Sequence, residues 1–223
     1  MTSHNDILEV PIYGALDAAH YLRVPYQTLR YWVRGRNSVG PIVTPAASDP
    51  PRLSFMNLLE CHMLSAMRSE YDLRLPKVRR ALRTLASIEN SKHPLLEIVF
   101  ETNRIDLFVR QADELINLSR PKHGQREFKE FLEMHMERIE TKNGSFRFFP
   151  FIERRIREEP RSIMISPAVS FGRPVIAGTG IPTALIASRF HARDSVGDLA
   201  REYGRSDKEI EEAIRWESRA TAA

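Results

Sequence analysis

The chain has a single cysteine, Cys61, among its 223 residues, so it cannot form an intramolecular disulfide. Such sparing use of cysteine is typical of a reducing compartment. No apolar run approaches the roughly 18 residues that a membrane-spanning helix needs. The polar and acidic stretch 1–9 does not have the shape of a signal peptide. We therefore expect a cytoplasmic protein without a membrane segment.

Catalytic and metal-binding patterns are also missing. None of the seven histidines stands in a His-x-x-x-His spacing, and there is no Cys-x-x-Cys, so a zinc site has little support. Gly178-Thr179-Gly180 lacks the lysine and the spacing of a phosphate-binding P-loop. We find no set of acidic residues of the kind that holds Mg²⁺ or Mn²⁺ in a nuclease. The sequence therefore predicts a non-enzymatic protein that needs no cofactor and no metal.

The composition is that of a globular protein with a modest basic excess. Hydrophobic residues make up 42% of the chain, enough to bury a core, and the net charge of +4 is compatible with binding to nucleic acid. The pattern of the sequence changes twice, which predicts three regions: 1–92, 93–160 and 161–223. Helical periodicity dominates and short strand patterns accompany it. We predict an α+β fold that is mainly helical.

The first region contains two short helical patterns separated by Arg23-Val24-Pro25. The first pattern runs from about Ala15 to Leu22, with Leu16, Ala19 and Leu22 on one face; the second begins near Tyr26. In the second, Leu29 and Val33, or Trp32, are expected to point inward. This leaves a group of polar and basic side chains for solvent or a ligand: Gln27, Thr28, Arg30, Tyr31 and Arg34. Two helices with a tight turn and such a group are typical of a reader of the DNA major groove. The alternative is a solvated amphipathic helix.

This region resembles the N-terminal module of MerR-type regulators. Their alanine-rich first helix and their S-x-x-T-L-R-Y-W motif correspond here to Ala18-Ala19 and to 25–32. Arg23 replaces the glycine of the family's turn, which makes it a further candidate for contact with the DNA backbone. The resemblance implies a winged helix-turn-helix, with a two-stranded wing flanked by 42–44 and 52–54. A basic helix starting at Pro76 would follow, either solvated or in contact with phosphate.

The middle region reads as a small α+β unit. Apolar runs predict strands at 95–101 and 105–109 as a hairpin, and 115–118 is a candidate third strand. A helix is expected from about Gln125 to Glu140, ended by Asn143-Gly144, and a further strand over 146–150. The sequence of this region shows no pattern of catalytic or ligand-binding residues.

The last region predicts a β-hairpin followed by three helices. Its strands are 163–165 and 175–176, Gly178 and Gly180 are expected to make the sharp exit, and Pro182 fits the first turn of a helix. Ser195 with Asp198, and Ser206 with Glu209, resemble capping boxes at the starts of the next two helices. These two helices again suggest a helix-turn-helix. Ser206 and Lys208 are therefore candidate DNA contacts, although neighbouring acidic residues oppose phosphate. The alternative is a helical hairpin that packs or dimerises.

The run Gly172-Arg173-Pro174-Val175-Ile176-Ala177-Gly178-Thr179-Gly180-Ile181-Pro182 resembles the signature G-[KR]-P-x-I-x-G-T-R-I-P of small bacterial domains with a helix-turn-helix. Gly180 replaces the arginine of that signature. Members are often antitoxins encoded beside a toxin nuclease of the PIN type. Together with the MerR-like start, the chain resembles the long, atypical VapB-type antitoxins. This resemblance implies an antitoxin that neutralises a PIN-domain ribonuclease toxin and represses its own operon by binding double-stranded operator DNA.

From the residues alone, the expectation is a cytoplasmic DNA-binding protein that forms a homodimer, since dimers gain affinity from two half-sites. The alternative function is a stand-alone MerR-like transcriptional regulator in which the middle region senses a small molecule. A neighbouring toxin gene would favour the antitoxin, and a ligand cavity in the middle region would favour the sensor.

Overall fold

The computed structural model describes residues 4–36, 39–71, 75–76, 78–79, 92–96, 125–142, 145–151 and 159–218. The chain divides into two compact units. The first unit is residues 9–137, and the second is residues 138–223 together with 1–8. Both contain helices and short antiparallel strands, so the predicted α+β class is confirmed. The division into three regions at 92 and 160 stays a prediction.

The elements are numbered along the chain. The helices with described bounds are α1 (His4–Leu8), α2 (Ala15–Leu22), α3 (Tyr26–Arg34), α4 (Phe55–Tyr71), α5 (Gln125–Met136), α6 (Thr183–His191), α7 (Val196–Tyr203) and α8 (Asp207–Ser218). The strands are β1 (Tyr13–Gly14), β2 (Ala47–Ser48), β3 (Pro51–Leu53), β4 (Ile139–Lys142), β5 (Ser145–Phe148), β6 (Ile163–Met164) and β7 (Val175–Ile176). Among the described helices, none is long and apolar enough to cross a membrane.

Helix α4 is the central element of the first unit. Ser54 caps its start by accepting a hydrogen bond from the backbone N–H of Asn57 (3.2 Å). From Phe55 to Met67 nearly all of its side chains are buried, including the polar ones. A helix that is buried all round requires packing from several sides. Helices α2 and α5 and strand β3 supply such contacts.

Helices α2 and α3 match the predicted pair. Helix α3 buries Leu29 as expected, and it buries both Val33 and Trp32, which were predicted as alternatives. The predicted inward face of α2 is wrong at one position. Leu16 is 68% exposed, and α2 buries Ala18, Ala19 and Leu22 instead. Leu22 follows Ala18 by four positions and Ala19 by three, so the three residues lie on one face of the helix. Leu16 lies two positions before Ala18 and six before Leu22, so it points away from the middle of this face.

A small sheet with strand order β1-β3-β2 replaces the predicted two-stranded arrangement. The expected strand at 42–44 is absent. The N–H groups of Ile42 and Val43 bond the carbonyl of Trp32, and the carbonyl of Thr44 accepts from the side chain of Asn57. Backbone groups engaged in this way are not available to a partner strand. The strand that pairs with β3 is therefore β2, a few residues later.

The middle of the chain differs from the prediction at both of its described ends. Leu95 and Leu96, expected to begin a strand, are helical; the strands predicted at 105–109 and 115–118 lie outside the described residues. Helix α5 ends at Met136, and β4 and β5 pair antiparallel from Ile139 opposite Phe148 to Lys142 opposite Ser145. The intervening Asn-Gly dipeptide, interpreted as a helix end, is equally a hairpin signal.

In the second unit, the predicted hairpin of the last region is confirmed, with Ile163 opposite Ile176. In the turn after β7 the N–H of Thr179 bonds the carbonyl of Ile176 (3.0 Å). Gly178 has φ +76°, which favours glycine, whereas Gly180 has no such conformation. Only the first of the two glycines therefore has the predicted backbone role.

The last three helices begin where their local signals indicate, and α7 also ends where predicted. The Ser195 hydroxyl accepts from the N–H of Asp198 (3.1 Å). Ser206 and Glu209 form a reciprocal capping box, in which the Ser206 N–H donates to the Glu209 carboxylate (3.0 Å). Gly204 ends α7 in the left-handed conformation. These interactions lie between residues close in sequence, so they need no tertiary contact. Trp216 of α8 is fully buried.

Candidate nucleic-acid interface

The outer face of α3 gathers most of the predicted contact residues. Because Leu29, Trp32 and Val33 turn inward, Gln27, Arg30 and Arg34 are exposed. The remaining two predicted residues of this helix, Thr28 and Tyr31, are half-buried beside them. Helical spacing places Arg34 one turn beyond Arg30 on the same side.

Arg30 and Arg34 form a ridge between two concave surfaces. The first hollow, of about 690 Å³, is lined by Gln27, Arg30, Tyr31, Arg34, Gly35 and Arg36. The second, of about 750 Å³, lies towards the start of α2 and the turn before β3, and its lining includes Arg30, Arg34 and Arg52. Both arginines of this arginine ridge line both hollows.

The charge of this surface is uncompensated by the described part of the chain. The side chains of Arg30, Arg34 and Arg52 are exposed, as is that of Arg36, and none makes a hydrogen bond or ion pair with a described residue. No described aspartate or glutamate lines either hollow. Exposed guanidinium groups can bond phosphate or the edge of guanine bidentately, through two of their N–H donors.

Two features hold the segment that follows α3. The Arg79 guanidinium donates to the carbonyl of Gly40 (2.9 Å) and lies 6.0 Å from the centre of the Tyr31 ring. Arg79 is 8% exposed, so it is a buried support and the prediction of a solvated or phosphate-binding face is wrong for this residue. Gly35, at φ +74°, leaves no room for a side chain, because an added Cβ would lie 2.1 Å from the Val39 carbonyl oxygen.

Arg23 has a structural role that explains how the α2–α3 turn forms without glycine. It ends α2 in the left-handed conformation (φ 55°, ψ 39°), and its N–H bonds the carbonyl of His20 (3.1 Å). Its side chain is half-buried. Contact of Arg23 with a DNA backbone therefore stays a prediction, while its position in the turn is a property of the fold.

A buried polar network supports the chain that leads into β2. The Asn57 side chain accepts from the Ala46 N–H (2.9 Å) and donates to the Thr44 carbonyl (2.9 Å). It also donates to Glu60 (3.4 Å), whose carboxylate lies 2.8 Å from Nδ1 of His93. Sequence reasoning missed this network, because its members are far apart along the chain.

The histidine of this network lies between two carboxylates, since its Nε2 is 2.9 Å from an oxygen of Glu9. Burial lowers the pKa of the His93 imidazole, but the hydrogen bonds and charges of Glu60 and Glu9 outweigh it and raise that pKa. Burial raises the pKa of Glu60 against the opposing effect of His93.

Elsewhere in this unit, Nδ1 of His135 lies 3.2 Å from Nε2 of His62. The described residues hold no group of three side chains that could bind a metal.

The α7–α8 pair, predicted as a second DNA reader, differs in its electrostatics. The Ser206 hydroxyl is engaged with Glu209 in the capping box. Lys208 is exposed, but Asp207, Glu209 and Glu211 surround it in sequence. The arginines of α6 to α8 and their connections largely bond carboxylates of the same unit: Arg189 with Asp194 and Glu202, Arg201 with Asp198, Arg205 with Glu209, and Arg215 with Glu212. DNA contact by Ser206 and Lys208 therefore stays a prediction, and the surrounding carboxylates do not favour it.

Comparison with known proteins finds a matching family, a similar protein and a similar solved structure. Residues 163–216 match the family described as "Protein of unknown function (DUF433)". The chain is 25% identical, over 230 aligned positions, to "Putative antitoxin VapB45" of Mycobacterium tuberculosis (strain ATCC 25618 / H37Rv), and the alignment covers 92% of this chain and 93% of that protein. The crystal structure of Rv2018 from Mycobacterium tuberculosis superposes with a TM-score of 0.67 at 23% identity, covering 92% and 98% of the two chains. The chain thus shares its fold with a solved mycobacterial structure, and nearly its whole length is similar to a protein that is named as an antitoxin.

Proposed function

We propose that this chain is the antitoxin of a type II toxin-antitoxin system. In this proposal it is a non-enzymatic homodimer that neutralises a PIN-domain ribonuclease toxin and represses its own operon by binding operator DNA. The similarity to an antitoxin over 92% of the chain supports the first role. The observation that carries the second is the exposed arginine ridge of α3, which lacks any partner among the described residues.

The proposed DNA contact is made by α3 lying in the major groove. Gln27, near the start of the helix, and Arg30, one turn later, reach base edges, where glutamine suits adenine and arginine suits guanine. Arg34 and the flanking Arg36 and Arg52 bond the phosphates that border the groove, which sets the register. Thr28 and Tyr31 lie at the edge of the helix face and complete the backbone contacts.

Within the proposal, the second unit is the side that contacts the toxin. Most of the arginines of its last three helices are neutralised by carboxylates of the same unit, and fixed acidic residues repel phosphate. An electrostatically balanced surface is better suited to a protein than to DNA.

The DNA-binding part is tested with the full chain and the DNA upstream of its own coding sequence. We expect Arg30→Ala and Arg34→Ala each to weaken binding in a fluorescence anisotropy titration, by about 1–3 kcal/mol for a base contact. A lost phosphate contact would instead lower the slope of log affinity against log salt by about one. Arg201→Ala is the matched control, since it removes the same charge from an exposed site on α7.

Two results would count against this assignment. Full binding by the Arg30→Ala/Arg34→Ala double variant would move the DNA contact away from α3. An equal loss in the Arg201→Ala control would show that net charge alone governs binding.

The antitoxin part is tested by purifying the tagged chain from its own cells and identifying the bound proteins by mass. We expect a stoichiometric small protein whose own sequence has the acidic residues of a PIN-type nuclease. That protein, purified alone, should cleave RNA, and adding the chain should stop the cleavage. Recovery of the chain with DNA but without such a partner would contradict the antitoxin role and favour a stand-alone regulator.

A further inference from the structure

The second hollow beside the arginine ridge contains an apolar patch at the point where α3 begins. Tyr26, the first residue of α3, is 40% exposed, and Leu16, in the first turn of α2, is 68% exposed. Both line this hollow together with Pro51, and Arg30 borders it. Two large apolar side chains are therefore open to solvent among guanidinium groups. Neither was predicted as a contact residue: Leu16 was placed only on the apolar face of α2, and Tyr26 only at the start of α3.

We propose that Tyr26 and Leu16 recognise the 5-methyl group of a thymine in the operator. This inference rests on the proposed DNA-binding role. In a major-groove reader the N-terminal residues of the second helix reach the base edges. Tyr26 occupies that position. Thymine is the base that presents an apolar group in this groove, and apolar side chains are its usual contacts.

The spacing on α3 relates this thymine to a second base. Arg30 follows Tyr26 by four positions, so the two side chains lie on the same face, one turn apart. One turn of helix spans about 5 Å, which is between one and two base-pair steps of about 3.4 Å. If Arg30 reads guanine, the operator half-site contains a thymine within about two base pairs of that guanine. The neighbouring arginines hold the phosphates on either side, which keeps the apolar patch against the base.

The test compares thymine with deoxyuridine, which differs from it only by the missing methyl group. The full chain first selects its preferred duplexes from a random library. Each thymine of the selected site is then replaced singly by deoxyuridine, and affinity is measured by anisotropy. We expect one position in each half-site to lose about fourfold in affinity, the value of one buried methyl group. In Tyr26→Ala and Leu16→Ala the thymine-to-uracil ratio at that position should fall towards one.

Control variants separate this effect from general damage. Val10→Ala truncates another exposed apolar side chain of the same unit, outside the hollow, and should keep the fourfold ratio. Tyr26→Phe keeps the ring and should keep it as well. Circular dichroism establishes that each variant is folded. Because the ratio is taken within one variant, a uniform loss of affinity does not alter it.

The outcomes distinguish the inference from the proposed function. Selection of a specific duplex with a ratio of one at every thymine would overturn methyl recognition while leaving operator binding in place. A fourfold ratio that persists in both alanine variants would assign the methyl contact to other residues and would also overturn it. If no duplex is enriched, operator binding fails and the inference fails with it.

Discussion

Replacing Asn57 by alanine is expected to release the chain that leads into β2. Asn57 is 1% exposed, and its side chain makes three hydrogen bonds to the backbone. Its oxygen accepts from the N–H groups of Ala46 (2.9 Å) and Ser54 (3.2 Å), and its nitrogen donates to the carbonyl of Thr44 (2.9 Å). A typical bond contributes about 1 kcal/mol net, so the loss is about 3 kcal/mol. The longer bond to Glu60 (3.4 Å) adds little. Water can reach the freed groups of Thr44 and Ala46, which are exposed, whereas the N–H of the buried Ser54 loses its partner away from water and accounts for the largest share of the loss.

The measurement is urea unfolding followed by tryptophan fluorescence. The chain has two tryptophans, Trp32 in the first unit and Trp216 in the second. A Trp216→Phe background therefore reports the first unit alone. In this background we expect Asn57→Ala to lower the free energy of unfolding by about 3 kcal/mol. Ser54→Ala, which removes one capping bond at the same helix start, should cost about 1 kcal/mol.

A loss for Asn57→Ala no larger than that for Ser54→Ala would refute the additive reasoning, because it would mean that the chain near Thr44 forms other bonds. Hydrogen exchange gives a local check. The amides of Ala46 and Ser54, which donate to Asn57, should exchange faster in the variant than other amides of the first unit. The β2–β3 hairpin carries Arg52 towards the second hollow, so operator affinity should decrease too.

Two further predictions concern stability and are also measured by urea unfolding. Gly35→Ala should lower the free energy of unfolding by about 3 kcal/mol or more, because the added Cβ would lie 2.1 Å from the Val39 carbonyl oxygen. Gly204→Ala should lower it by only about 1 kcal/mol, because that site has φ +61° but nothing within 4 Å of the added Cβ. Equal losses in the two variants would contradict this reasoning. The pKa of His93 is raised in the folded state beside Glu60, so protonation of this histidine stabilises the fold. The stabilisation is complete below the unfolded histidine pKa of about 6.5, and it is lost as pH rises through the pKa of the folded state. The stability difference between wild type and His93→Gln should therefore shrink from pH 6 to pH 9, and a difference that grows would reverse the sign of the coupling.

Local signals in the sequence predicted several of the helix starts and ends. The bounds of α2, the start of α3 near Tyr26 and the starts of α7 and α8 match the prediction, because caps, breaks and periodicity act between residues at most four positions apart. The hairpin of Ile163 with Ile176 was predictable for a similar reason, since apolar runs bounded by turn residues indicate paired strands. The apolar positions of α3 likewise predicted the exposure of Gln27, Arg30 and Arg34, whereas Thr28 and Tyr31 are half-buried.

Tertiary packing decided the rest. Whether 42–44 forms a strand depends on Trp32 and Asn57, which take its backbone bonds from other parts of the chain. The burial of Arg79 depends on the Gly40 carbonyl, 39 positions away. The exposure of Leu16 depends on which face of α2 its neighbours cover. Pairing and burial between distant residues leave no periodic trace in a sequence. For that reason the sequence indicated a DNA-reading helix, while only the structure showed an arginine ridge that no described residue pairs with, and an apolar patch beside it.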